Sequence, residues 1–148
     1  MDLNQLEGLI EKPYWVVDIL PEQVPAGSPG QYFAMDDYFL KMPQLAVLHR
    51  KFAEILLKLN CYYEARVCEP ETEKWQVNPP PERLFAWIAD NEKDLCVLLP
   101  AEDTLITVNR DDLYMTVYGP SRDVLELLRP LSAAAGLFLW QPPQEGEE

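Results

Sequence analysis

The sequence has few of the residues on which most enzyme chemistry depends. It contains one histidine, His49, in 148 residues, so the commonest general bases and metal ligands are almost absent. The three cysteines, Cys61, Cys68 and Cys96, show no CxxC spacing, which indicates reduced, buried thiols. Glycine-rich phosphate loops, GxSxG and HExxH are also missing. We predict no metal and no cofactor, and an enzyme only if an acid lies beside His49 or a cysteine.

Basic residues are scarce as well. The chain has 12 Lys and Arg against 25 Asp and Glu, for a formal net charge of −13 at pH 7. This charge repels nucleic-acid phosphates and anionic lipids, and it favours basic partners. No apolar run reaches the length of a membrane span, and the N-terminus lacks the basic and apolar stretches of a signal peptide. We therefore expect a soluble, cytoplasmic protein that binds neither nucleic acid nor membrane.

Apolar residues are plentiful enough for a core. They make up 48% of the chain, with four Trp, seven Tyr and five Phe, and a chain of 148 residues usually forms one domain. We predict a single domain over residues 1–141. Three prolines and two glycines indicate a loop at 21–31, and we expect the acidic segment 142–148 to be a disordered tail.

Hydrophobic periodicity predicts the main elements. Leu45, Leu48, Phe52, Ile55 and Leu59 recur at helical spacing, which predicts a helix. Two shorter helices are expected after the prolines at 79–81 and after Gly119-Pro120-Ser121. Apolar or alternating runs predict the strands, at 14–20, 95–99, 104–108, 113–118 and 137–140, with a hairpin across 61–78.

This order of elements predicts an α+β fold. We expect a single domain with a largely antiparallel sheet and helices mainly on one face. Residues 75–100 and 114–142 both read as strand, turn, helix, strand, which suggests two similar units. A ferredoxin-like arrangement of residues 62–142 would fit this pattern.

The first functional hypothesis concerns the aromatic and acidic segment 32–39. Aromatic rings supply contact area and carboxylates bind Arg or Lys, so the segment suits a non-enzymatic module that docks on a basic partner, as an inhibitor does. The alternative is a packed segment that covers the sheet edge. The predicted contact and rim residues are Tyr32, Asp36, Asp37, Tyr38, Glu102, Asp103, Asp111 and Asp112.

The second hypothesis is a small-molecule-binding regulatory domain. Asp18 lies in a predicted strand on the same face as Val16 and Leu20, so a covered face would require hydrogen-bond partners or a proton for its carboxylate. The alternative is that Asp18 caps a loop or pairs with a base. A concave pocket that contains Asp18 would favour the regulatory domain. The predicted pocket residues are Asp18, Trp15, Trp75, Trp87 and Trp140.

Overall fold

The computed structural model describes residues 3–69, 72, 74–91 and 93–143. Five α-helices and seven strands occur in these ranges. The helices are α1 Leu3–Ile10, α2 Tyr32–Phe39, α3 Gln44–Asn60, α4 Pro81–Ala89 and α5 Arg122–Ala134. The strands are β1 Tyr14–Asp18, β2 Arg66–Cys68, β3 Trp75–Val77, β4 Leu95–Leu99, β5 Thr104–Val108, β6 Tyr114–Tyr118 and β7 Phe138–Trp140.

All seven strands belong to one antiparallel sheet. Their order across the sheet is β3-β2-β4-β5-β6-β1-β7, and each neighbouring pair is antiparallel. β1 is the first strand in the chain, yet it lies between β6 and β7. The predicted α+β class with an antiparallel sheet is confirmed.

The main core lies between one face of the sheet and helices α3, α4 and α5. The predicted stripe of α3 is buried because its apolar side chains recur once per turn, and Phe52 is 0% exposed. Leu84 of α4 and Leu128 of α5 complete this layer. The prediction of helices mainly on one face is confirmed.

α1 covers part of the opposite face, and no pattern in the sequence predicts it. Leu9 packs there with Leu98 of β4 and Leu105 of β5. α1 has eight residues, and its apolar positions are too few to separate a short helix from a frayed terminus. The rest of the opposite face, formed by β6, β1 and β7, borders the cavity described below.

The strand order corrects the ferredoxin-like expectation for residues 62–142. In that arrangement each strand–helix–strand unit inserts a strand between the two strands of the other unit. Here β2 lies between β3 and β4, and β1 lies between β6 and β7. The two units therefore lie side by side, because the strand between the two strands of each unit belongs to neither unit.

The structure also corrects the expectation for segment 32–39. The periodicity of the sequence predicts no helix there, whereas residues Tyr32–Phe39 form α2. Residues 19–31 before it are irregular, as the prolines and glycines predict. The change matters because neighbouring residues on a helix point about 100° apart, so that Asp36 and Asp37 have different surroundings. The expected acidic tail falls mostly on 144–148, outside the described residues.

Candidate functional site

The open half of the second sheet face carries alternate residues of β1, β6 and β7. Val16 lies opposite Thr116 on one side and Trp140 on the other, and Asp18 lies opposite Tyr114. The intervening residues, such as Val17, belong to the main core. Strand alternation therefore directs these side chains away from the core.

α2 and the irregular segment before it face this part of the sheet without closing on it. The cavity between them measures about 1000 Å³. We call it the acidic trough; Val16, Asp18 and Trp140 define its sheet side, and Tyr32, Phe33 and Asp36 define its α2 side. The trough is partly open to solvent, so a chain segment as well as a small molecule could enter it.

The lining of the trough has charge of one sign. Five carboxylates line it, and no Lys, Arg or His does so among the described residues. A concave site lined by one sign of charge, with apolar walls, concentrates the electrostatic potential and attracts counter-ions. These carboxylates are Asp18, Glu22, Asp36, Asp111 and Asp112.

Asp18 is half-buried at the end of β1. Its Oδ1 accepts a hydrogen bond of 2.6 Å from the backbone N–H of Ile19. Burial nevertheless raises the pKa of Asp18; backbone hydrogen bonds and the Trp140 indole lower it, and the charge of Asp36 raises it further. The indole N–H of Trp140 lies close enough to Asp18 to lower its pKa, but the geometry is not that of a hydrogen bond. The buried N–H has no hydrogen-bond partner among the described residues. Asp18 thus caps the following turn and also lies in a concave pocket.

His49 holds the acidic turn at the rim of the trough. Its ring is buried against Phe52, and Nε2 donates a hydrogen bond of 2.9 Å to the carbonyl of Asp112. Burial raises the pKa of the Asp112 carboxyl, while Asn109 and His49 lower it. The imidazole is 1% exposed, so it positions the turn and has no access to a substrate in the trough.

The cysteines lie away from the trough. Cys68 and Cys96 are neighbours on β2 and β4, and burial raises the pKa of Cys96 to about 11. A thiol with so high a pKa is a poor nucleophile at neutral pH. Among the described residues, no group of three or more His, Cys, Asp or Glu side chains could hold a metal ion.

The predicted docking residues divide between two regions. Tyr32, Asp36, Asp111 and Asp112 come together at the trough, although they are far apart in sequence. Asp37 and Tyr38 lie outside its lining, and Asp37 pairs with Lys41 at 3.2 Å.

The second predicted rim lies at the other end of the sheet. Glu102 and Asp103 precede β5, and the Asp103 carbonyl accepts a hydrogen bond from Lys12. Asp111 and Asp112 follow the far end of the same strand. One acidic turn therefore borders the trough and the other does not.

The prediction that four tryptophans line one pocket with Asp18 is wrong. Only Trp140 shares the trough with Asp18. Trp15 lies on the main-core side beneath Arg129, whose guanidinium is 5.9 Å from the ring centroid. Trp87 packs against the main core, and Trp75 packs in the smaller cluster under α1. Trp15 and Asp18 are an odd number of positions apart on β1, so their side chains point to opposite faces of the sheet.

Tyrosine and phenylalanine supply the aromatic walls instead. Tyr14 and Tyr114 come from the sheet, and Phe33 and Phe39 come from α2. The period of two in 14–18 and 114–118 is the signal that places the tyrosines on the face of Asp18. Nothing in the sequence pairs these two strands, so their convergence required the structure.

Compared with known proteins, the chain matches no family model, no curated protein and no solved structure. Within the described ranges, every helix is too short or too polar to cross a membrane.

Proposed function

We propose that the protein is a non-enzymatic binding module that takes up a basic segment of a partner protein in the acidic trough. The observation that carries this proposal is the lining of the trough, where five acidic residues and, among the described residues, no basic residue line the cavity. An arginine- or lysine-rich segment would supply the missing positive charge. The net charge of −13 gives such a partner a long-range attraction as well.

The partner segment must also carry apolar groups. α2 has no buried residue, and Phe33 and Met35 are 85% and 51% exposed. Both side chains line the trough, across from the aromatic residues of the sheet. Exposed apolar surface of this kind marks an interaction site. We therefore infer an amphipathic basic segment, whose apolar side chains fill the space between α2 and the sheet.

The same geometry supports a second candidate function. Asp18 and Trp140 lie inside a concave cavity, and a volume of about 1000 Å³ is at the upper end of the range of small-molecule pockets, roughly 300–1,000 Å³. A regulatory domain that binds a small organic cation would use these residues. The openness of the cavity and the exposed apolar face of α2 favour a protein segment.

Peptide selection followed by a matched charge comparison tests the proposal. Random peptides displayed on phage are selected against the full chain, and the dissociation constants of the winners are measured by fluorescence anisotropy. One double variant, Asp36→Asn with Asp111→Asn, removes two trough charges. The control, Asp37→Asn with Asp103→Asn, removes two charges outside the trough.

The two double variants are closely matched. Each changes one residue of α2 and one turn residue with positive φ, Asp111 or Asp103, where asparagine is well tolerated. Both lose the same net charge. We expect the selected peptides to be basic, and to lose at least about tenfold in affinity with the trough variant alone. Equal losses with both variants would show that binding follows overall charge, and would refute the proposal.

A further inference from the structure

Asp18 has aromatic neighbours on three elements. Tyr114 of β6 and Phe138 of β7 are its direct cross-strand neighbours. Tyr32 of α2 lies near enough for the charge of Asp18 to raise the pKa of its hydroxyl. A cation bound at Asp18 would therefore contact aromatic rings as well as a carboxylate.

The described part of the protein supplies no cation to this position. No Lys, Arg or His lines the trough, and the charge of Asp36, which acts on Asp18, is also negative. A partly desolvated carboxylate without a counter-ion is unfavourable. A guest cation would recover this free energy on binding.

A guanidinium group suits this position better than an ammonium group. It is planar, it can donate two parallel hydrogen bonds to one carboxylate, and it stacks on aromatic faces. It also gives up its hydration more readily than the compact ammonium of lysine. The trough offers both features, a carboxylate and aromatic rings, within one partly desolvated site.

We infer that the Asp18 position is an arginine subsite, which receives one arginine side chain of the bound segment. The inference rests on the proposed function and adds the identity of the anchoring side chain. The aromatic rings of Tyr32 and Tyr114 flank the guanidinium, and Asp18 holds its charge. Lysine at the same position would keep the charge and lose the bidentate and stacking contacts.

Titration with blocked amino acids tests the inference on the intact protein. The ¹⁵N-labelled chain is titrated with N-acetyl-arginine N-methylamide, and the Ile19 amide and Trp140 indole signals are followed. The lysine analogue tests the shape of the cation. The citrulline analogue has nearly the shape of arginine without its charge. Free arginine is compared with the blocked form to show whether the site binds a free amino acid or a side chain of a polypeptide segment.

We expect the blocked arginine to bind at least about tenfold more tightly than the citrulline analogue, and several-fold more tightly than the lysine analogue. Asp18→Asn should abolish the difference between arginine and citrulline. Asp37→Asn, on the outer side of α2 and paired with Lys41, should leave it unchanged. The comparison of analogues on the unmodified protein does not depend on the folding of a variant.

Two results would overturn the inference. Equal binding of the arginine, lysine and citrulline analogues would show that Asp18 does not recognise a guanidinium. Tighter binding of free arginine than of its blocked form would assign the subsite to an amino acid rather than to a chain segment. If selected peptides bind the trough without needing an arginine, the subsite is refuted and the proposed function stands. If they do not bind the trough, the proposed function itself fails.

Discussion

At the scale of single residues, the partial burial of the Asp18 carboxylate lowers the stability of the folded protein, and the fold alone does not explain why a carboxylate is there. Its carboxylate accepts the Ile19 N–H, yet burial raises its pKa. A neutral residue of the same shape could cap the turn at lower cost. Desolvated charge of this kind is typical of functional sites, where binding offsets the loss of stability.

Asp18→Asn should stabilise the free protein at neutral pH. Because the folded-state pKa is raised above the ordinary value of 3.8, the folded chain holds this proton more tightly than the unfolded chain. Its contribution to stability is full below pH 3.8 and is lost as the pH rises through the folded-state pKa. Urea unfolding should therefore show the variant to be more stable than the unmodified protein at pH 7.

The same comparison near pH 3 provides the control. The advantage of the variant should shrink there, because Asp18 is protonated in both states and resembles asparagine. A variant that is less stable at both pH values by the same amount would contradict this account. That result would mean that Asp18 serves only to cap the turn after β1.

Single residues could be predicted from the sequence where strand alternation was clear. The strand predicted at 113–118 is present as β6, with Met115 and Val117 buried in the core and Tyr114 exposed. Asp18 was selected for the same reason and lies in a pocket. The grouping of Trp15, Trp75 and Trp87 rests on residue type alone, and residue type does not determine which side chains lie together in the fold.

At the scale of elements, α3 and α2 differ in how much of their apolar surface is buried. α3 buries a continuous stripe, whereas α2 buries no side chain. The apolar residues of α3 recur every three or four positions, and those of Tyr-Phe-Ala-Met-Asp-Asp-Tyr-Phe occur on nearly every side. The free energy of folding therefore depends on α3 much more than on α2, whose apolar surface stays exposed.

Phe52→Ala in α3 should be strongly destabilising. The ring is 0% exposed, so its removal loses buried apolar surface and leaves a cavity, at a cost of about 3–5 kcal/mol. Denaturant unfolding measures this cost. Val47→Ala on the exposed side of the same helix, at 49% exposure, should change stability by no more than about 0.5 kcal/mol. Similar losses for both variants would mean that the core is not where we place it.

Phe33→Ser in α2 should separate binding from stability. The ring is 85% exposed, so we expect the free energy of unfolding to change by at most about 0.5 kcal/mol. The affinity for selected peptides should fall several-fold, because Phe33 lines the trough. Loss of stability without loss of affinity would contradict the role that we assign to α2.

The sequence predicted elements well where apolar runs were short and bounded. β4 and β5 begin and end at the predicted residues, and the expected helices are present. α2 was missed because its apolar residues follow neither a period of two nor a period of 3.6. Its neighbour in space is a cavity, so no burial pattern marks it in the sequence.

At the scale of the whole molecule, the net charge of −13 should govern how fast partners arrive. The association rate of a basic peptide should fall steeply as salt rises from about 50 mM to about 500 mM, because screening shortens the range of the field. The dissociation rate should change much less, since it depends on contacts in the trough. Stopped-flow fluorescence measures both rates, and an association rate independent of salt would refute electrostatic steering.

The fold class followed from the sequence, and the strand order did not. Alternating strands and helices specify an α+β protein with an antiparallel sheet. The insertion of β1 between β6 and β7 joins residues about one hundred positions apart, and no local pattern encodes that pairing. The trough depends on this insertion, since Asp18 and Tyr114 face each other only because β1 pairs with β6.

The most direct test of the account is to locate a bound peptide on the protein. A basic peptide selected against the full chain would be added to ¹⁵N-labelled protein, and the shifts of backbone amides and tryptophan indoles would be mapped. We predict that the largest changes fall on Ile19, α2, Thr116 and the Trp140 indole, around the trough. Changes centred on the acidic turn at Glu102 and Asp103 instead would contradict the central claim.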